Sequence, residues 1–396
     1  MAPRKKKKKA AGNKKKKWFK KPLIIASIST GILFILFMVF FIDKSFRGNS
    51  QPVFEEIYSV RSDLSNVIRK IDHSIYESLY INGVEEKDVH FSTVKPKYTK
   101  GQEWDFTEIS IKVATGDSVF QLEKIIEGGL SKLRSTINYN YEKISEFELV
   151  FHIYVNGLYT HKIMLKYEKD IKPMKETLPR LAIIIDDLGY DRKIAYTIVH
   201  FEPPLSLSIL PMAPYTEYVA EIARENDREI LLHLPMEPKN YPSINPGPGA
   251  LFVEMSEDDI RRRLRDLLTH VDGIRGVNHH MGSFFTENDE KMTMVLSELK
   301  NNGLFYVDSR TSSKTVAFDL ARKIGVPATK KNVFLDHDLS SKAIKFQMER
   351  LLSIARYSGT AVGIGHPHKE TISILEEYRE KLMHEFKVVP VSQLVD

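Results

Sequence analysis

Positions 22 to 42 read PLIIASISTGILFILFMVFFI, an apolar run of 21 residues with no charge. At about 1.5 Å of rise per helical residue this run spans roughly 30 Å, the thickness of a bilayer's hydrocarbon core, so the pattern predicts a transmembrane helix. Phe40, Phe41, Ile42 and Asp43 offer no small-residue cleavage site, which predicts a retained signal-anchor. Beyond it, Ile57, Val60, Leu64, Val67, Ile71, Ile75 and Leu79 recur every three or four positions, the spacing of an amphipathic helix that either stands as a stalk or packs on the next elements of the chain. Apolar and polar residues alternate over 104–115 as in a half-buried strand, 119–137 reads as a second helix, and 147–167 holds two strands around Asn156-Gly157, a strong hairpin signal. Together these predict a small α+β domain over 51–168, in which no constellation of polar residues stands out. Residues 169–180, with Pro173 and Pro179, read as a linker.

From 181 to 396 the pattern changes to short β-rich runs alternating with helical stretches. Strands are predicted at 181–185, 205–210, 229–232, 276–279, 304–307, 332–335 and 361–365, with helices such as 256–270 between them. Seven strands in βα rhythm predict an α/β fold, a distorted seven-stranded (β/α) barrel.

Charge and composition refine this picture. The net charge of +6 suggests a nucleic-acid binder, but Arg4, Lys5 to Lys9, Lys14 to Lys17, Lys20 and Lys21 supply twelve cations before the first acidic residue, Asp43. The remainder is therefore net negative and would repel a phosphate backbone, so no nucleic-acid partner is expected. The basic residues 1–21 form a tail that keeps the N-terminus cytoplasmic, contacts anionic lipid, and sends the rest of the chain across the membrane. The chain has no cysteine, which leaves His, Asp and Glu as the only strong metal donors.

Those residue types gather at predicted strand ends. Asp186 and Asp187 close the first strand, His233 the third and His279 and His280 the fourth, while Asp308 and His366 close later ones. In a parallel barrel all strand C-termini open on one face, so these residues are expected to share one mouth. Carboxylates and neutral imidazoles at one point suit a divalent ion, Zn²⁺ foremost, with a position left open for water.

The segments IIIDDLGY (183–190), ILLHLPMEP (230–238), GVNHHMGS (276–283), FYVDSRT (305–311) and GIGHPH (363–368) resemble the divergent polysaccharide deacetylase family, relatives of the NodB-type carbohydrate esterases. The resemblance covers 181–396 and none of 1–170. It implies a NodB-type barrel in which Asp186 is the general base, Asp187 a metal ligand with His233 and His280, and His366 the acid that protonates the leaving amine. NodB enzymes carry two histidines four apart after the third strand, whereas here His233 is followed by Glu237. His280 is therefore assigned as the remaining ligand, with Glu237 or His279 as alternatives. Glu237, His279, Asp308 and His368 are further candidates for substrate contact or for support of the ligands. The arginine-proline-tyrosine motif that holds substrate in NodB enzymes is absent.

The expected function is that of a single-pass, extracytoplasmic, metal-dependent hydrolase that removes acyl groups from an envelope glycan. The alternative is an envelope binding or scaffolding protein that keeps the barrel without the chemistry.

Overall fold

The computed structural model describes residues 63–81, 84, 88–99, 102–113, 116–167 and 178–396. The polybasic tail, the expected membrane helix over 22–42 and most of the expected linker lie outside them. Among the described residues no helix is long and apolar enough to cross a membrane.

The first part opens with helix α1 (Asp63–Ile81). Its Leu64, Ile68, Ile71, Ile75 and Leu79 are buried together, so the predicted helix packs its apolar face rather than standing free. Strands β1 (Val89–Thr99) and β2 (Gln102–Val113), helix α2 (Gly116–Ser131) and strands β3 (Asn138–Ser145), β4 (Glu148–Val155) and β5 (Leu158–Tyr167) come next. The sheet order is β1-β2-β5-β4-β3, and only the central β2–β5 pair is parallel. The predicted β4–β5 hairpin turns on Asn156 and Gly157, whose φ angles of 50° and 80° are the two left-handed positions such a turn requires.

Two predictions need correction here. The second helix ends at Ser131 rather than 137, and Ile137 enters the core beyond a turn. Strands β1 and β3 are additions to the predicted elements. β3 is an edge strand exposed along nearly its whole length, so no buried face imposes an alternation on it. β1, the other edge, carries Pro96, which is tolerated at an edge but reads as a loop.

The second part runs β6 (Arg180–Leu188), α3 (Arg192–Val199), β7 (Ser206–Ile209), α4 (Thr216–Glu225), β8 (Ile230–Met236), α5 (Glu257–His270), β9 (Ile274–Met281), α6 (Asp289–Asn301) and β10 (Phe305–Asp308). It continues through α7 (Ala317–Ile324), β11 (Ala328–Lys330), β12 (Val333–Phe334), α8 (Ser341–Ser358), β13 (Thr360–Gly365), α9 (Lys369–Glu385) and β14 (Lys387–Val388). Every pairing is parallel, in the order β11-β10-β9-β8-β7-β6-β13-β12, with β14 beside β6. The expected seven strands are therefore nine. The additions, β11 and β14, are three and two residues long, too short to show a period.

The sheet has to roll up. Only Lys331 and Asn332 separate β11 from β12. Three Cα–Cα links reach at most about 11 Å, whereas eight strands laid flat at about 4.8 Å spacing would hold these edges roughly 34 Å apart. The C-terminal strand ends are thereby gathered around one mouth. Local capping places the helices, as where Asp191 accepts hydrogen bonds from the backbone N–H of Lys193 and Ile194 to start α3, and Ser256 caps α5.

The described residues of both parts fall in one compact unit. One apolar cluster runs from Leu64 to Phe386 through both parts. Helix α8 lies along β1, where the Phe91 N–H donates to Ser353 Oγ at 3.1 Å and Ser353 Oγ donates to the Val89 carbonyl at 2.7 Å.

Close packing makes one glycine indispensable. A Cβ on Gly276 would stand 2.3 Å from the Phe305 ring, whereas one on Gly128 in α2 would meet nothing within 4 Å. Gly276→Ala is expected to destabilise the protein by about 1–3 kcal/mol through overpacking, and Gly128→Ala to stabilise it by about 0.5–1 kcal/mol. Thermal midpoints of the two variants should move in opposite directions.

Candidate metal centre

Strand β6 does not run regularly to its end. Ile185 pairs with Leu207 and Leu188 with Ile209, so three steps on β6 match two on β7, and the extra residue is absorbed at Asp186 and Asp187. Asp187 has a φ of 55°. In a regular strand consecutive side chains face opposite ways. Here the bulge and the left-handed turn let both carboxylates serve the same mouth, and both are buried. Met281, directly after His280, and Arg310, two positions after Asp308, also have positive φ angles. Such backbone is costly for residues with a Cβ and gathers where a site demands it.

The Asp187 Oδ1 atom lies 3.0 Å from His233 Nε2 and 2.8 Å from His280 Nδ1. The two imidazoles meet edge to face at 5.1 Å between centroids. One donor atom from each of the three residues falls within 4.8 Å of the others, and all three side chains are buried. Burial pushes the Asp187 carboxyl up, but His280 and His233 outweigh it and hold the group well below the usual carboxylate range.

What fits a cation to this cluster is the state of His233. Asn278 pairs with His233 in register, and its Nδ2 donates to Asp186 Oδ1 at 2.8 Å and points toward Ser309 Oγ. Its Oδ1 therefore faces His233 Nδ1 at 3.0 Å and Ser208 Oγ, and must accept from both. With its proton on Nδ1, a neutral His233 turns the Nε2 lone pair toward the Asp187 carboxylate. Two electron-rich atoms 3.0 Å apart in a buried site need a positive charge between them. The donor set of two imidazoles and one carboxylate suits zinc or a related divalent ion.

Asp186 stands outside this cluster. One of its oxygens is held by Asn278, while Oδ2 is buried, accepts no hydrogen bond and lies 3.9 Å from His233 Nδ1. On the neighbouring strand Gly365 pairs with Ile185, which sets His366 beside Asp186. Asp336 grips His366 twice, accepting from its backbone N–H at 2.6 Å and meeting Nδ1 at 2.8 Å, while Thr371 donates to the same carboxylate. Burial pushes the Asp336 carboxyl up, yet His366 outweighs it and holds the group down, as an ionised partner.

The other predicted residues are sorted by the same geometry. His279, the alternative ligand, points away from the cluster. Its Nδ1 meets the Met281 carbonyl at 2.8 Å, and its Nε2 accepts from the Ser309 N–H at 3.1 Å. Asp308 lies against His279 and accepts from the N–H groups of Arg310 and Phe318, which makes it a brace for the start of α7. Glu237, the other alternative, accepts from the Val253 N–H at 2.7 Å and braces a loop. His368 precedes α9, its ring 6.1 Å from that of His366, and burial lowers its pKa.

The sequence profile of the divergent polysaccharide deacetylases matches residues 183–395. The chain belongs to this family. Two relatives are the uncharacterized protein YibQ of Escherichia coli K12, 33% identical over 217 residues that cover 55% of this chain and 67% of that protein, and an uncharacterized protein of Haemophilus influenzae, 33% identical over 215 residues that cover 54% and 76%. A crystal structure of an uncharacterized protein from Agrobacterium tumefaciens C58 superposes with a TM-score of 0.53 at 26% identity, covering 56% of this chain and 91% of that one. The family match leaves the α+β part of the chain uncovered.

Two residues around this cluster, Asn278 and Asp336, are absent from the sequence-based candidates. Asp336 closes the predicted strand 332–335 as Asp308 closes 304–307, so the strand-end rule would have found it. Asn278 lies inside GVNHHMGS but is neutral, and nothing in the motif distinguishes a bridging amide from an ordinary one.

Metal content should report this arrangement. Asp187→Ala and His280→Ala are expected to abolish binding of a divalent ion, and His279→Ala to leave it in place. Asn278→Ala, which frees His233 to take the other tautomer, is expected to weaken binding about 10- to 100-fold. Elemental analysis and competition with a chelator measure both; full metal content in Asp187→Ala would move the site elsewhere.

Proposed function

We propose that this protein is a metal-dependent amide hydrolase, anchored in the membrane, that removes acyl groups from amine nitrogens of an extracytoplasmic envelope glycan. The observation that carries the reading is the convergence of the Asp187–His233–His280 cluster with an uncommitted Asp186 and the Asp336–His366 pair. Membership in the polysaccharide deacetylase family supports a glycan amide as substrate.

A divalent ion held by Asp187, His233 and His280 would supply Lewis acidity toward the carbonyl oxygen and a lowered pKa for water in the site. Asp186 stays outside the cluster and takes the proton of the attacking water through Oδ2. Asn278 holds the other oxygen of Asp186, so the base cannot rotate away. His366, with Nδ1 fixed on Asp336, turns Nε2 to the leaving nitrogen and delivers a proton there, its cationic form stabilised by the buried carboxylate.

Acetate release from N-acetylated envelope glycans by the zinc-loaded protein tests the reaction. Asp186→Asn is expected to lower kcat by about 10²–10⁴, and Asp336→Asn to lower kcat with little change in KM. Absence of release from every acylated glycan tried, with metal bound, would sink the reading.

The anchor and placement rest on the uncharged run over 22–42 behind twelve cations. A reporter that is active only outside the cytoplasm, fused after Asp396, is expected to be active; activity of a cytoplasmic reporter alone would remove the envelope substrate.

A further inference from the structure

The α+β part is fastened to the barrel on one side of the mouth. Glu103 of β2 meets Lys239, in the loop after β8, at 2.6 Å, and its other oxygen accepts from the Ser313 N–H, after β10, at 3.4 Å. Lys239 in turn holds Glu287, after β9, at 2.7 Å, and its backbone N–H donates to Ser283 Oγ at 3.0 Å. The Lys314 ammonium lies 3.5 Å from the centre of the Tyr98 ring in β1, and Glu77 of α1 meets Lys342, at the start of α8 beyond β12, at 3.0 Å. These attachments fall on, or are relayed to, the segments that follow β8, β9, β10 and β12, which lie along one continuous arc of the rolled sheet. The rest of the mouth is made by the loops after β7, β6 and β13.

That second arc carries Asp186, on β6, and His366, directly after β13. Its rim presents large apolar side chains to solvent. Tyr190, in the loop after β6, is 40% exposed, and Met212 and Tyr215, after β7, are 48% and 39% exposed. The backbone ties the two loops together, since the Tyr215 N–H donates to the Gly189 carbonyl at 2.8 Å and the Leu210 N–H to the Leu188 carbonyl at 2.9 Å. The charged neighbours of Tyr190 are engaged elsewhere, Asp191 as the cap of α3 and Arg192 over the Tyr218 ring at 4.0 Å. Burial and the Asp187 charge push the Tyr190 phenol up, so this side chain stands within the field of the cluster. Exposed apolar side chains on a polar rim beside a buried site mark a surface made to be covered by a ligand.

We propose that the glycan chain lies across this second arc, with Tyr190 and Tyr215 stacking on the sugars that flank the one losing its acyl group; the inference rests on the reading of the site as a glycan amide hydrolase. A pyranose presents C–H groups on its faces and hydroxyls around its edge. It can therefore stack on a half-exposed tyrosine while its edge stays in water or bonds the phenol. The α+β part acquires a role in the same arrangement. By occupying the β8 to β12 side of the mouth it directs the chain to the side where Asp186 and His366 stand.

The test is calorimetric titration of the full-length protein in uncharged detergent, stripped of metal by a chelator so that nothing is cleaved, with a β-1,4-linked tetrasaccharide of N-acetylglucosamine and with the monosaccharide. The tetrasaccharide is expected to bind about tenfold more tightly or better, and Tyr190→Ala and Tyr215→Ala each to weaken it about tenfold while leaving the monosaccharide unchanged. Tyr190→Phe and Tyr215→Phe keep the ring and are expected to keep the affinity, as is Tyr357→Ala at the far end of α8. Should an alanine variant lower the melting temperature, Tyr190→Leu and Tyr215→Leu, which keep apolar volume without a flat face, carry the comparison. Acetate release by the same proteins reloaded with zinc separates the two readings: ring-dependent binding without release keeps the track and removes the chemistry, whereas release with unaltered affinity in both alanine variants keeps the chemistry and overturns the track. No binding of the tetrasaccharide, equal affinity for the two sugars, or a loss confined to Phe284→Ala on the fastened side would also overturn it.

Discussion

One neutral amide holds the candidate site in its working state. Asn278 offers its carbonyl oxygen to His233 and its amino group to Asp186, so it fixes a ring tautomer on one side and a carboxylate rotamer on the other. Neither histidine nor aspartate could take its place, since a charge at this buried point would either compete with the cluster for a cation or repel one. The amide itself is steadied by the Ser208 hydroxyl on its oxygen and by the proximity of Ser309 to its nitrogen, so the network extends over β6 to β10 and relies on the rolled sheet to keep those strands in register.

Much of this is legible in the sequence, for a physical reason. Parallel strands covered on both faces read as continuous apolar runs, so an ionisable residue that ends such a run stands out, as Asp186, Asp187, His233, His280 and His366 do. The rule also flags Asp308 and His279, which end strands equally well but turn to brace one another. A strand alternates its side chains, and sequence alone does not say which of two adjacent histidines looks inward. Position along β9 decides it, because Asn278 and His280 share one face and His279 takes the other.

The elements that the sequence pattern hides are those that tertiary context creates. β3 has no buried side, β11 and β14 are too short to have a period, and the union of the two parts depends on contacts such as that of Phe91 with Ser353, 262 positions apart in the chain. One core continues through both parts.

The bulge at the end of β6 turns two identical side chains into chemically different ones. Asp186 and Asp187 are consecutive and alike in composition, and only the backbone decides which is surrounded by imidazoles and which is left with an idle oxygen. Loss of a single residue there would return the strand to strict alternation and leave one inward carboxylate, able to be a base or a ligand but not both. The pairing of a carboxylate held among imidazoles with one left open is thus written into chain geometry, and sequence changes that preserve both aspartates can still erase the distinction between them.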